Sequence, residues 1–193
     1  GVCVRTERNA NLGVTLPGFV NRGKIIASLP NLALLIIAAL TPQDIEVEYV
    51  EIPDINSHTI NLNFDLVAIS TYSAQAFEAY ELADRYRAKG IKVVIGGPHV
   101  SMLPDEAQPH LDAVVIGEAE PVWMELISDF KDNRLKKHYK SHIPYDLSLS
   151  PLPRYDLLPI GQHNRILVQA SRGCPHDCEF CAASKCLGPY RRK

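Results

Sequence analysis

Three short apolar runs constrain the fold of this chain more than anything else in it: residues 66–70 (Leu-Val-Ala-Ile-Ser), 92–95 (Lys-Val-Val-Ile) and 113–116 (Ala-Val-Val-Ile). Each is too short for a helix, is rich in apolar and β-branched residues, and leads into a turn-forming stretch. That describes a strand buried on both faces. Between the runs lie helical stretches. Ala76, Ala79, Tyr80 and Ala83 form one stripe, with Ser73 expected as the cap and Gly90 as the stop. A short helical turn is expected at 104–107 and a longer helix at 121–130. Upstream, residues 2–5 read as a first strand, followed by a polar loop over 6–23. A helix entered at Ser28 and Pro30 then runs through Leu40 and ends at Pro42. Residues 45–52 alternate Ile45, Val47 and Tyr49 with Glu46 and Glu48, as an edge strand does. Five strands with intervening helices predict an α/β fold, a flavodoxin-like doubly wound parallel sheet over residues 1–130.

Such sheets bind ligands beyond the carboxyl ends of their strands, where the strand order reverses. The unusual loops all fall at that edge: residues 5–12, Ser70-Thr71-Tyr72-Ser73, 96–101 and 117–120. Ser70, Thr71, Gly96, Gly97, His99, Gly117 and Glu118 are the candidate ligand contacts there. Glycine lets backbone approach a ligand, and hydroxyls at helix starts suit phosphate. The plainer alternative, that Gly96-Gly97 only turns the chain from strand to helix, stays open.

Residues 131–164 carry Pro144, Pro151, Pro153 and Pro159 and show no sustained period, so they are expected to be a linker. Residues 165–170 then read as a fresh strand. It feeds Cys174-Pro-His-Asp-Cys178-Glu-Phe-Cys181, three thiols spaced C-x3-C-x2-C behind an Arg172-Gly173 turn. Three such thiolates can wrap one corner of a cubane iron–sulfur cluster and leave one iron without a protein ligand. Electron-transfer clusters take four cysteines and structural zinc closes with four ligands, so a site one short is built to hold something else. Cys186 offers a fourth ligand for a zinc knuckle. Zinc ribbons, however, pair two C-x2-C hairpins and only one is present, so Cys186 reads as a bystander. Cys3 reads as a small buried hydrophobe in the first strand. A disulfide framework is not needed in a chain this apolar.

At 193 residues and 46% hydrophobic, the chain can bury one good core and the start of a second. A formal net charge of -2 argues against a surface that coats nucleic acid. The greasiest run, residues 32–40, falls well short of the about 20 apolar residues a membrane span needs. Clustered reduced cysteines and no export signal lead to a cytoplasmic expectation. The start at Gly1 and the stop shortly after Cys181 lead to the expectation of a piece of a longer protein, inactive by itself.

The phrase Ala170-Ser-Arg-Gly-Cys-Pro-His-Asp-Cys-Glu-Phe-Cys-Ala182 closely resembles the signature of the radical S-adenosylmethionine (radical SAM) enzymes. Four earlier phrases resemble the cobalamin (B12)-binding domain that precedes the barrel in the B12-dependent branch of that family. They are Asp65-Leu-Val-Ala-Ile-Ser70, Val93-Val-Ile-Gly-Gly-Pro-His-Val100, Leu103-Pro-Asp-Glu-Ala107 and Asp112-Ala-Val-Val-Ile-Gly-Glu-Ala-Glu120. The resemblance implies that residues 165–193 begin a truncated radical SAM βα barrel. It implies a [4Fe-4S] cluster on Cys174, Cys178 and Cys181, with S-adenosylmethionine chelated to the open iron and Phe180 near its adenine. An external electron donor of flavodoxin or ferredoxin type would reduce the cluster, and a 5′-deoxyadenosyl radical would then activate a small-molecule or lipid-like substrate. Cobalamin at Ser70, Thr71, Gly96, Gly97, His99, Gly117 and Glu118 would deliver a methyl group to an unactivated carbon. One departure matters: the Asp-x-His-x-x-Gly motif that supplies a lower histidine ligand is absent, and His58 and His99 do not fit its spacing. The cobalamin is therefore expected base-off, without a histidine on cobalt. Two alternatives remain, a radical SAM enzyme whose first domain does not bind cobalamin, and a cofactor-binding module with a structural zinc knuckle.

Overall fold

The computed structural model describes residues 2–4, 30–52, 54–158, 163, 166–176 and 178–193. The expected loop at 6–23, Ser28 and Arg165 lie outside the described residues, as do the side chain of Cys3 and the linker residue Pro159.

Three runs of consecutive apolar residues become the centre of a six-stranded, fully parallel sheet. Its strands are β1 (Val2–Val4), β2 (Val50–Ile52), β3 (Leu66–Ser70), β4 (Lys92–Gly96), β5 (Ala113–Ile116) and β6 (His138–Lys140). The spatial order is β2-β1-β3-β4-β5-β6, so the direction of winding reverses between β1 and β3. Leu66–Ser70 pairs in register with Lys92–Gly96, which brings Ser70 beside Gly96 at the carboxyl edge.

Strand period assigns the two faces. Val67, Ile69, Val93, Ile95 and Val114 pack with Ala79, Leu82, Ala83 and Tyr86 of α2 (Ala76–Arg87). Val94, Ala113 and Val115 point the other way, against Trp123, Leu126 and Ile127 of α5 (Glu120–Lys131) and Ile37 of α1 (Leu32–Leu40). Two short helices, α3 (Pro98–Met102) and α4 (Pro104–Ala107), follow β4. The indole N–H of Trp123 donates to Thr41 Oγ1 at 3.0 Å and so ties α5 to the end of α1. The faces fit the doubly wound expectation because the central strands carry apolar residues on both sides.

Four local readings need correction. The alternation at 45–49 is real in burial, but only Val50–Ile52 pairs as strand; the preceding residues are irregular. Ser73 makes no cap hydrogen bond, because a 3₁₀ turn, Ser73–Gln75, precedes α2. The sheet has a sixth strand, which falls at the start of the segment read as linker. His138 and Lys140 face solvent while Tyr139 is buried and donates to Asp129 Oδ2 at 2.9 Å. A three-residue strand with two polar positions has no period to detect. Residues 166–170 are irregular, and the strand expected there is displaced to β7 (Ser171–Arg172), paired antiparallel with β8 (Arg191–Arg192).

Farther along the same segment, Arg154 N–H donates to Leu35 O at 3.1 Å, and Leu158 packs with Leu34, Leu35 and Tyr49. The segment is thus strapped across α1. Among the described residues no helix is long and apolar enough to cross a membrane.

Candidate functional site

The carboxyl edge of the sheet is organised around Thr71, which is wholly buried. Its N–H donates to Gly96 O at 3.1 Å and its hydroxyl to Tyr72 O at 3.1 Å. Gly97 lies directly over it with φ +116, where an added Cβ would stand 2.4 Å from Thr71 O. No side chain fits there, so Gly97 is required by backbone packing between two loops of the edge. The plainer reading of Gly96-Gly97 as a packed turn therefore accounts for Gly97. Gly117 differs: at φ +81 its Cβ direction meets nothing within 4 Å, which leaves its backbone bordering open space. Ser101 joins the two loops, its hydroxyl donating to Gly97 O at 2.7 Å and accepting from Gly117 N–H at 2.9 Å. Ser70 Oγ accepts from Asn31 Nδ2 at 2.9 Å, which brings the start of α1 to the same edge.

His99, at the start of α3, is the middle of a polar chain. Its Nδ1 is 3.1 Å from Ser73 Oγ and its Nε2 3.0 Å from Glu106 Oε1. Tyr80 donates to the same carboxylate oxygen at 3.2 Å and stacks on His110. Burial first, and the Glu106 carboxylate second, push the Tyr80 phenol up to about 12. The bond to His99 is the main cause that holds Glu106 below the usual carboxylate range. Beside this chain runs an open groove of about 500 Å³ lined by Phe77, Tyr80, Asp84, Arg85 and His110 among others. His58 lies elsewhere, with Nε2 3.3 Å from Tyr86 Oη.

Glu118 turns away from its expected neighbours toward the cysteine segment. Its Oε1 accepts from Arg172 Nη1 at 2.7 Å and Arg191 Nη2 at 2.9 Å. Its Oε2 accepts from Tyr145 N–H at 2.7 Å and Arg191 Nη1 at 3.0 Å. Burial alone would raise its pKa, but the bonds from Arg191, Tyr145 and Arg172 together hold it below the ordinary value. The same Arg172 forks to Glu120 Oε1 at 2.5 Å and Gln169 Oε1 at 3.1 Å.

Beyond Arg172, Gly173 sits at φ +86 with Pro189 O only 2.2 Å from where a Cβ would be. Glycine is therefore obligatory at the mouth of the cysteine loop. Cys174 is bridged to Pro189 and its N–H donates to Gly188 O, while Cys181 N–H donates to Cys178 O at 3.1 Å. Cys174, Cys178, Cys181 and Cys186 are free thiols, and Cys178 is exposed. Cys181 precedes the short helix α6 (Ala182–Leu187). Phe180 is 93% exposed at the tip of the loop. Among the described residues no three His, Cys, Asp or Glu side chains stand close enough to hold a metal ion. The loop thus carries the thiols without converging them, though soft thiolates are the donors that iron–sulfur clusters and zinc select.

Residues 20–127 match the family model described as B12 binding domain. The chain belongs to the B12-binding domain family. The match covers β2 to β5 and most of α5, so it takes in the edge loops at Ser70–Ser73, 96–101 and 117–120. The chain is also 32% identical over 169 residues to the bacteriochlorophyllide d C-8(2)-methyltransferase of Chlorobaculum tepidum, covering 84% of this chain and 38% of that protein. It is 32% identical over 169 residues to the C-12(1)-methyltransferase of the same organism, covering 83% of this chain and 36% of that protein. With the hopanoid C-2 methylase of Rhodopseudomonas palustris it shares 28% identity over 187 residues, covering 93% of this chain and 35% of that protein. The chain spans little more than a third of the length of the curated relatives it matches.

Sequence reasoning singled out Thr71, Gly97 and Gly117; it placed Ser101 and Glu120 in edge loops without giving either a role, and it missed Arg191, which lies beyond the matched domain. Arg191 carried no local signal, since a basic C-terminal stretch looks like any solvated segment, whereas Glu120 had only its place in the 117–120 loop. Ser101 follows the Gly-Gly-Pro-His phrase by two residues and was findable as a hydroxyl inside an edge loop.

Proposed function

We infer that this chain is the cofactor-carrying part of a B12-dependent radical SAM methyltransferase acting on an unactivated carbon. The observation that carries the reading is the ion pairing of Arg172 with Glu118 and Glu120, which sets the cysteine loop beside the carboxyl edge of a B12-binding sheet. In this reading Ser70, Thr71, Gly96, Gly97, His99 and Gly117 form the edge that receives base-off cobalamin. Gly117 offers backbone to the ligand, whereas Thr71 and Gly97 hold the loop shape from beneath. Glu118, expected at the same edge, works through its arginine partners. Cys174, Cys178 and Cys181 would hold a [4Fe-4S] cluster, and the exposed ring of Phe180 would offer a flat apolar face to the adenine of S-adenosylmethionine. When bound, cobalamin supplies a transferable methyl group, and the cluster with S-adenosylmethionine supplies the one-electron chemistry that opens the carbon. The methyltransferase names of the relatives support methyl transfer; a small-molecule or lipid-like substrate and an external one-electron donor complete the proposal.

Two measurements test it. Anaerobic incubation with hydroxocobalamin followed by gel filtration gives a protein peak that carries cobalamin absorbance of the base-off type. Metal analysis after anaerobic reconstitution gives iron and sulfide in place of zinc. Folded protein that carries no cobalamin returns the reading to a radical SAM protein with an empty first domain, and zinc in the loop returns it to a binding module.

A further inference from the structure

The polar hub between the two halves of the site is built more heavily than a surface ion pair. Arg172 retains 12% of its side-chain exposure, Glu118 18% and Glu120 7%. Arg191 adds two further anchors, donating to Tyr145 O at 3.0 Å and Leu187 O at 3.1 Å. The two arginines belong to the paired strands β7 and β8, the stem from which the cysteine loop hangs. Glu118 follows Gly117 at the carboxyl end of β5, and Glu120 opens α5. The hub therefore connects the stem of one proposed cofactor loop to the rim of the other.

An apolar contact would hold the stem as firmly but would let it slide. Paired guanidinium forks do not slide, because each N–H···O bond has a fixed direction, so charge-assisted forks set geometry as well as energy. No described residue from Ile166 to Lys193 is buried, so the stem has no apolar core of its own to orient it. We propose that Glu118 and Glu120 are positioning residues that fix the distance and angle of the cysteine loop relative to the cobalamin rim, through Arg172 and Arg191. The proposal rests on the cofactor reading above for what is positioned, but not for the tether itself.

Hydrogen exchange on the free 193-residue chain tests the tether without any cofactor. In Glu118→Gln/Glu120→Gln, which keeps shape and removes charge, the amides of residues 171–174, 188 and 190–192 exchange about tenfold faster or more, while those of Leu66–Ser70 and Lys92–Gly96 are unchanged. Unchanged exchange in the stem overturns the proposal. Positioning is read separately by pulsed electron paramagnetic resonance, with a nitroxide on Cys178, the other cysteines changed to Ser, and cob(II)alamin bound. The distance distribution is narrow with the native glutamates and broad in the double variant. Arg172→Lys, which keeps the charge but loses the fork, gives an intermediate width. A narrow distribution in the double variant overturns the positioning role even if the stem exchanges faster. If cob(II)alamin does not bind the native chain, the cofactor reading fails, and the exchange measurement still decides the tether.

Discussion

The sheet and the cysteine stem are held by different physics. In the sheet, Leu35, Leu82, Val93, Ile95 and Leu126 are completely buried, and the central strands β3, β4 and β5 contribute side chains to both layers. In the stem, no described residue is buried, and the arginine–glutamate hub with a two-residue strand pair takes the place of a core. Apolar burial stabilises without direction, whereas ionic forks direct with little net stability. The molecule thus pairs a platform held by apolar burial with an appendage held by directed ion pairs.

The contrast is broken most directly from the platform side. Leu126→Ala removes a fully buried side chain between α5 and the sheet and is expected to cost about 2–5 kcal/mol in urea unfolding. The same protein should keep fast exchange in the stem, because that region does not draw on the core. A loss of stem protection equal to the global loss would show one cooperative unit.

Next come the two glycines of the rim. Gly97→Ala puts a methyl group 2.4 Å from Thr71 O as well as in an unfavourable backbone region, so a loss of about 1–3 kcal/mol is expected. Gly117→Ala meets open space and bears only the left-handed strain of about 1–2 kcal/mol. Cobalamin affinity measured by absorbance titration should fall for Gly117→Ala in a protein that is still folded. If only Gly97→Ala weakens binding, and Gly117→Ala binds as the native chain does, Gly117 is not the approach point.

The tether has its own pH signature. Glu118 is held below its ordinary pKa of 4.5, so its contribution is present above that value and is lost as pH falls through the lowered one. Stem amides should therefore lose protection in mild acid, below about pH 4.5, before the sheet unfolds. Exchange profiles that collapse together would place the hub inside the cooperative core.

The smallest effect on stability is expected in the loop itself. Cys178→Ala should change unfolding by less than about 0.5 kcal/mol, since the side chain is exposed. It should nevertheless abolish iron retention, as should Cys174→Ala and Cys181→Ala, whereas Cys186→Ala should not. Iron lost in Cys186→Ala would overturn the ligand assignment.

What the sequence determined by itself follows from local periodicity. Leu66–Ser70, Lys92–Gly96 and Ala113–Ile116 are legible because a doubly covered strand must be apolar at consecutive positions, and the α2 stripe is legible because helix period sets one face. The C-x3-C-x2-C spacing is likewise written in the sequence, and Cys174, Cys178 and Cys181 follow β7 as that order requires. Tertiary structure alone decided the rest. Tyr139 is one buried residue between two solvated ones, and only its pairing beside β5 makes a strand of it. That Gly97 must be glycine is decided by Thr71, 26 positions earlier, whose backbone occupies its side-chain space. Glu118 meets Arg172 and Arg191 across 54 and 73 positions. No local pattern encodes a partner that distant, because ion pairs depend on where two surfaces meet and carry no period along the chain.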